Sequence, residues 1–195
     1  MITIITILLA LALVIGLVAI YNRLVTLRNR FKNAFSQISV QLQRRHDLIP
    51  NFVEIAKAYM RHERETLEAV IAARNIASAA LRTAAQNPAD AGAISSLHRA
   101  EAGLGGWLSR LMAVSEAYPT LRASETMAQL SSELVSAENK IGFARQAYND
   151  SVMDYNTKRE AFPTVLFAGL LGFNTAELFQ LENAEARAAP RISFS

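Results

Sequence analysis

The stretch His62-Glu63-Arg64-Glu65-Thr66 begins like a zinc-protease helix, in which two histidines one turn apart hold the metal and the glutamate between them acts as base. The second histidine is required where Thr66 stands, so the signal fails. Arg61 with Glu65 and Arg64 with Glu68 read instead as i,i+4 ion pairs on a solvated face, worth a few tenths of a kcal/mol each. Gly103-Leu104-Gly105-Gly106 lacks the spacing and the trailing lysine of a phosphate loop, and no strand precedes it. Three glycines in one helical turn, next to the only tryptophan, Trp107, point to a weak or closely packed spot. The chain has no cysteine, which excludes disulfides, thiol catalysis and cysteine-ligated zinc. His46, His62 and His98 lie far apart in sequence. These residues yield no catalytic, metal or cofactor-binding site.

Two polar constellations are left. Arg44-Arg45-His46-Asp47 reads either as helix-end electrostatics or as a binding spot. Tyr148-Asn149 recurs as Tyr155-Asn156 one heptad later, hence on nearly the same helix face. Its two readings are a buried polar layer that fixes helix register, which the pattern favours, and a recognition patch.

The elements that position these groups begin with a membrane anchor. Residues 2–20 carry no charge and are almost wholly Ile, Leu, Val and Ala. A bilayer core needs roughly 20 apolar residues at about 1.5 Å each, and this run supplies them. Its branched aliphatics favour insertion by something on the order of 5 kcal/mol. Ala10-Leu11-Ala12 resembles a signal-peptide cleavage site, but no basic residue precedes the apolar run, which continues through it. Arg23, Arg28, Arg30 and Lys32 follow closely. Basic flanks stay in the cytoplasm, so the N-terminus is expected outside and the remainder in the cytoplasm. Tyr21 suits the membrane interface, where the same basic residues would face anionic lipid. A net charge of +3 is too small to point to nucleic acid.

Beyond residue 21 the periodicity is helical throughout. An all-α fold is expected: the transmembrane helix (1–21) continues into an up-and-down four-helix bundle (22–162) with long, coiled-coil-like helices over about 22–47, 50–86, 90–118 and 121–162. Residues 163–195 form an apolar segment and C-terminal tail. Asp47-Leu48-Ile49-Pro50 reads as a stop and restart, with a kink at Pro50 as the competing topology. The last helix carries a seam of Met127, Leu130, Leu134, Ala137, Ile141, Ala144 and Tyr148, resumed by Val152, Tyr155 and Phe162. Residues 163–173 are uncharged yet too short to span a bilayer. An up-and-down path returns Phe162 toward the membrane, so Val165, Leu166, Phe167, Leu170, Leu171 and Phe173 become a candidate interfacial or oligomer contact. Capping of the bundle end is the alternative.

These segments together resemble the LemA family of bacterial membrane proteins over nearly the whole chain. The resemblance is carried by Tyr21-Asn22-Arg23-Leu24-Val25, Arg44-Arg45-His46-Asp47-Leu48-Ile49-Pro50-Asn51 and His62-Glu63-Arg64-Glu65-Thr66-Leu67. Further on it is carried by Glu116-Ala117-Tyr118-Pro119-Thr120-Leu121, the two Tyr-Asn pairs, and Phe162-Pro163 leading to Gly172-Phe173. The glycine-rich stretch before Trp107 and the short acidic C-terminal run depart from it. The resemblance implies an N-terminal membrane helix, a small external N-terminus and a helical domain, with no established catalytic activity and no cofactor. A sensor kinase shares the family name, but this chain has no kinase motif.

The expectation is therefore a non-catalytic, membrane-anchored helical scaffold or interaction protein, self-associating, in the bacterial cytoplasmic (inner) membrane. It crosses once, with its helical domain in the cytoplasm. Its expected partners are the lipid bilayer, further copies of itself in a homo-oligomer and another membrane protein, with no nucleic acid. The alternative is an accessory subunit of a membrane peptidase or envelope-stress system.

Overall fold

In the computed structural model, residues 1–179 are described, and among them there is no strand. Six helices follow one another: α1 Ile2–Tyr59, α2 Arg64–Gln86, α3 Ala91–Ser115, α4 Pro119–Arg122, α5 Glu125–Glu160 and α6 Val165–Ala168. Residues 2–16 of α1 are all exposed, and burial begins in earnest at Leu24. An apolar rod thus projects from a bundle in which α1 packs on α5 and α2, and α2 packs on α3. The pairings Arg30–Asp154, Phe31–Tyr155, Phe35–Tyr148 and Arg44–Glu133 show α5 running antiparallel to α1. With its 36 residues α5 extends about 54 Å, enough to return from the far end of the bundle to the rod.

The expected break at 47–50 is absent. α1 runs as one 58-residue helix through Pro50, and the chain reverses later, at residues 60–63. Proline removes one helical N–H and so strands the carbonyl four residues earlier, that of His46. Arg74 on α2 supplies the missing donor: its Nε bonds the His46 carbonyl at 2.8 Å, while its Nη2 lies 3.5 Å from Asp47. A charged donor on the stranded carbonyl removes the main reason for the helix to end. Asp47 does not cap a new helix; it accepts from Gln43 within α1.

At the true reversal the N–H of Met60 bonds the Ala56 carbonyl, and Met60 is fully buried as the peg that seats the turn. His62 and Glu63 therefore belong to a turn, and the expected Arg61–Glu65 helical pair does not form there, whereas Arg64–Glu68 does, at 2.6 Å. Asp90 caps α3 by accepting from the N–H groups of Gly92 and Ala93. Helix α3 passes through Gly103, Gly105 and Gly106, and a β-carbon at any of them would meet no atom within 4 Å. Close packing is thus not the reason for these glycines.

The buried side chains form two clusters. One, next to the rod, contains Leu24 to Leu42 of α1, Leu81, Leu97, Ile141, Tyr148 and Tyr155. The other, at the far end, contains Ile49 to Met60, Val70, Leu104, Leu111 and Leu134. Between them Leu42 gives way to Ile49 on α1, Leu97 to Leu104 on α3 and Ile141 to Leu134 on α5, and a charged layer occupies that level.

Removing Arg74 from a helix that contains Pro50 leaves the His46 carbonyl without a donor, at a cost of about 1–3 kcal/mol. Pro50→Ala restores an N–H to that carbonyl. In denaturant unfolding, Arg74→Ala should cost at least about 1 kcal/mol more in the native background than in Pro50→Ala. Additive costs would show that Arg74 serves only Asp47.

Candidate functional site

The charged layer is built by all four long bundle helices. From α1, Arg45 and His46 point inward, with 5 % and 0 % of their surfaces exposed. From α3 comes Glu101, 4 % exposed, and from α5 the more solvated Glu138. Arg45 uses one guanidinium nitrogen on each carboxylate, Nη2 on Glu101 and Nη1 on Glu138. His46 Nε2 meets the other oxygen of Glu101 at 2.9 Å. A carboxylate that accepts from Arg45 on one oxygen and meets imidazole on the other requires His46 Nε2 to carry the proton. A His–Glu pair is the unit of general-base catalysis elsewhere. Here the imidazole is wholly enclosed, so no substrate atom reaches it in this conformation. Its geometry is that of a packing layer.

Of the Arg44–Asp47 run, then, Arg45 and His46 are the inward pair. Arg44 lies 3.9 Å from Glu133 at the surface. Glu101, Glu138 and Arg74 escaped the sequence analysis, since each is a single charge within an otherwise ordinary helix. The available signal was that Glu101 sits on the Leu97–Leu104 stripe of α3. Among the described residues no group of three His, Asp or Glu side chains could hold a metal ion.

The second polar constellation does something the heptad spacing does not reveal. After α6 the chain turns at Gly172, whose φ of +74° is left-handed and suits glycine. The turn closes with Phe173 N–H on the Ala168 carbonyl at 2.9 Å. Residues 173–179 then run back along α5 as an extended ribbon. Asn156 grips Ala176 at both backbone groups, donating to its carbonyl at 2.9 Å and accepting from its N–H at 3.0 Å. Asn149 grips Phe179 likewise, at 3.2 and 2.8 Å. Tyr155 donates to the Asn174 carbonyl at 2.7 Å, Tyr148 to that of Glu177 at 2.9 Å, and Arg159 to that of Phe173 at 2.9 Å. One heptad of helix rises about 10.5 Å, and three extended residues cover about 10 Å, so two asparagines seven apart meet two ribbon residues three apart.

The expected polar layer between helices is thus corrected in part. The rings of Tyr148 and Tyr155 do pack edge-on against Phe31 and Phe35 of α1. The asparagines address the ribbon and not a neighbouring helix. In return the ribbon buries every third residue, Phe173, Ala176 and Phe179.

At the rod end the same ribbon meets the basic flank. Phe173 lies 5.5 Å from the Tyr21 ring in an edge-on contact, and the Arg28 guanidinium stacks 4.9 Å above it. Phe173 is therefore a core residue, in contrast to the interfacial role expected for it. Arg30 pairs with Asp154 at 3.2 Å, Arg23 is exposed and Lys32 half-buried. The rest of the candidate contact faces outward: Leu170, Leu166, Val165 and Leu171 are exposed, and Phe167 is half-buried. Phe167, Leu170 and Leu171 line an apolar groove of about 370 Å³ whose other wall is Leu17, Val18 and Tyr21 of the rod.

An exposed apolar rod continuing into an all-helical bundle defines a membrane-associated helical-bundle protein. The LemA family profile matches residues 34–194, and the chain belongs to the LemA family. It is similar to the magnetosome protein MamQ 2 of Paramagnetospirillum magneticum, at 30 % identity over 192 residues, 91 % of this chain and 71 % of that protein. The magnetosome protein MamQ of Magnetospirillum gryphiswaldense is 30 % identical over 174 residues, covering 82 % of this chain and 64 % of its own length.

Burial, followed by the nearby Glu177 carboxylate, pushes the Tyr148 phenol well above its ordinary 10.0. Burial also raises Tyr155, against the opposing charges of Arg159 and Arg28. A phenol whose folded value lies above its unfolded one contributes stability that is complete below about pH 10 and is lost as pH climbs toward the folded value. Unfolding midpoints should therefore fall as pH rises above about 10, and Tyr148→Phe should flatten that fall. An unchanged alkaline slope in Tyr148→Phe would place the sensitivity elsewhere.

Proposed function

We propose that this protein is a non-catalytic, membrane-anchored helical scaffold that lies on the cytoplasmic face of a bacterial inner membrane and self-associates there. The observation that carries this reading is the apolar groove shared by the rod and the α6 turn. If residues 2–20 span the bilayer, side chains facing Leu17 and Val18 across a shared groove lie near the bilayer boundary, and Phe167, Leu170 and Leu171 do so. Leu170 is 88 % exposed and Phe162 80 %, which water disfavours and lipid accommodates. Immersing Val165, Leu166 and Leu170 adds roughly 1.5–3 kcal/mol for each fully buried side chain. Arg23 lies on the polar side of that boundary, where a basic residue gains about 1 kcal/mol from anionic lipid. The similarity to two magnetosome proteins fits a protein that works at a membrane. Phe143 and Val40, exposed on α5 and α1, offer apolar surface for self-association.

The rod makes few contacts with the bundle, so deleting residues 2–20 should leave the helical domain folded. That domain should still bind vesicles containing anionic lipid, and Leu166→Asp with Leu170→Asp should weaken its binding at least about tenfold. Equal binding by the double variant would sink the interfacial reading. The native full chain, extracted in detergent, should run as a discrete oligomer; one-to-one co-purification with another membrane protein would favour an accessory subunit.

The orientation has its own test. A reporter active only in the periplasm, fused after Ser195, should be silent. Strong activity would reverse the topology and remove the cytoplasmic placement.

A further inference from the structure

The clamp formed by Asn149 and Asn156 recognises backbone. All four of their bonds go to N–H and C=O groups of Ala176 and Phe179, and Tyr148 and Tyr155 add two more to carbonyls. Such a groove reads main chain together with apolar residues at every third position, and the segment seated in it is residues 173–179 of this chain. Among the described residues nothing threads or covalently ties that ribbon in place. It is joined to α5 only through residues 161–172, a connection of about 40 Å when extended. The clamp contacts are the same whether ribbon and clamp belong to one copy or two; the hinge at residues 161–172 gives up the short α6 turn and its Phe173–Ala168 bond when it opens. Anchoring in one bilayer confines the copies to a plane with their grooves at one height, which raises the effective concentration of a neighbour's ribbon.

From this we infer that the α1–α5 groove accepts residues 173–179 of a second copy, and that reciprocal exchange of this ribbon is how the protein self-associates. The inference rests on the self-association proposed above and supplies its chemistry, an asparagine clamp on extended main chain. The part of the chain that swings, residues 161–172, carries the exposed Phe162, Leu166 and Leu170, so the linker travels along the membrane face and not through water.

The chain has no cysteine, which permits unambiguous marking. One full-length copy carries Met153→Cys, at an exposed position of α5 between the two asparagines, and another carries Thr175→Cys, exposed on the ribbon. The two are co-reconstituted in vesicles at low protein density and treated with a short bismaleimide. A single chain bearing both cysteines reports ribbon docking within one copy or between copies. Exchange predicts a covalent dimer from the mixed pair. It also predicts that Asn149→Ala with Asn156→Ala in the Met153→Cys copy lowers that dimer at least about tenfold while helicity is retained. The inference is overturned if the doubly marked chain links internally while the mixed pair gives no dimer, or if the dimer persists undiminished without the asparagines. An oligomer of unchanged size in either case would leave self-association standing and exclude this route to it.

Discussion

The bundle depends on one buried ion pair. Arg45 and Glu101 are almost entirely withdrawn from water, at a level where the apolar stripes of α1, α3 and α5 are all interrupted. Taking two such charges out of water costs several kcal/mol for each ion, and their attraction repays it only when the remaining polar atoms are also satisfied. Here several neighbours contribute, although Arg45 Nε and His46 Nδ1 have no hydrogen-bond partner among the described residues. Glu138 takes the second arm of Arg45, His46 takes the second oxygen of Glu101, and Arg74 takes the carbonyl that Pro50 strands between them and the next turn. A shift of any helix by one turn would leave a charge buried and unpaired, at a cost of about 3–5 kcal/mol, whereas the leucine and alanine stripes on either side would tolerate such a slip far better. The polar layer thus specifies register, and the two flanking cores supply stability.

A second tie acts at the other end. Because α1 leaves the rod and α5 returns to it, the end of α5 and the rod's last turns are neighbours, and the chain after Glu160 reverses there. The ribbon takes advantage of this geometry: Phe173 seats against Tyr21 and Arg28, and the two asparagines carry the backbone away along α5. The basic residues after the rod therefore have two roles. Arg28 and Arg30 are engaged by the protein itself, through Phe173 and Asp154, while Arg23 remains free to face solvent or lipid headgroups.

The sequence made the helices legible because their signals are dense and local. The seam from Met127 to Tyr155 and the apolar stripes of α1 and α3 each repeat over several turns. The errors arose where one distant residue overrules a local rule. Pro50 is a strong breaker in isolation, and Arg74, 24 positions away, neutralises it. The true reversal at 60–63 has no glycine or proline to announce it; it follows from burial of Met60, a tertiary fact. The glycines of α3 suggested close approach, yet open space surrounds them. In the Tyr-Asn repeat the heptad spacing was visible, but its partner was not a heptad: a ribbon of period three lies on a helix of period seven, and neither pattern alone implies the other. The apolar surface of residues 163–173 was legible as composition, and only the fold divides it into an outward face at Leu166 and Leu170 and an inward one at Phe173.

These two polar devices differ in what they ask of the chain. The Arg45–Glu101 layer reads side chains, so it fixes residue identities on α1, α3 and α5 and admits one arrangement of this bundle. The asparagine clamp reads main chain, so it fixes a spacing and leaves identity open at Asn174, Thr175 and Glu177, whose side chains face away from the core. A protein built this way has a rigid interior whose register cannot slip and a surface strap that is held firmly but non-specifically. The first property suits a fixed spacer standing on a membrane. The second suits attachment, because a contact made through backbone bonds and a few apolar pegs can be made by one copy or shared between two without redesign of either surface. The strap lies at the rod end, beside Tyr21 and Arg28, while the specific contact is sealed within the bundle.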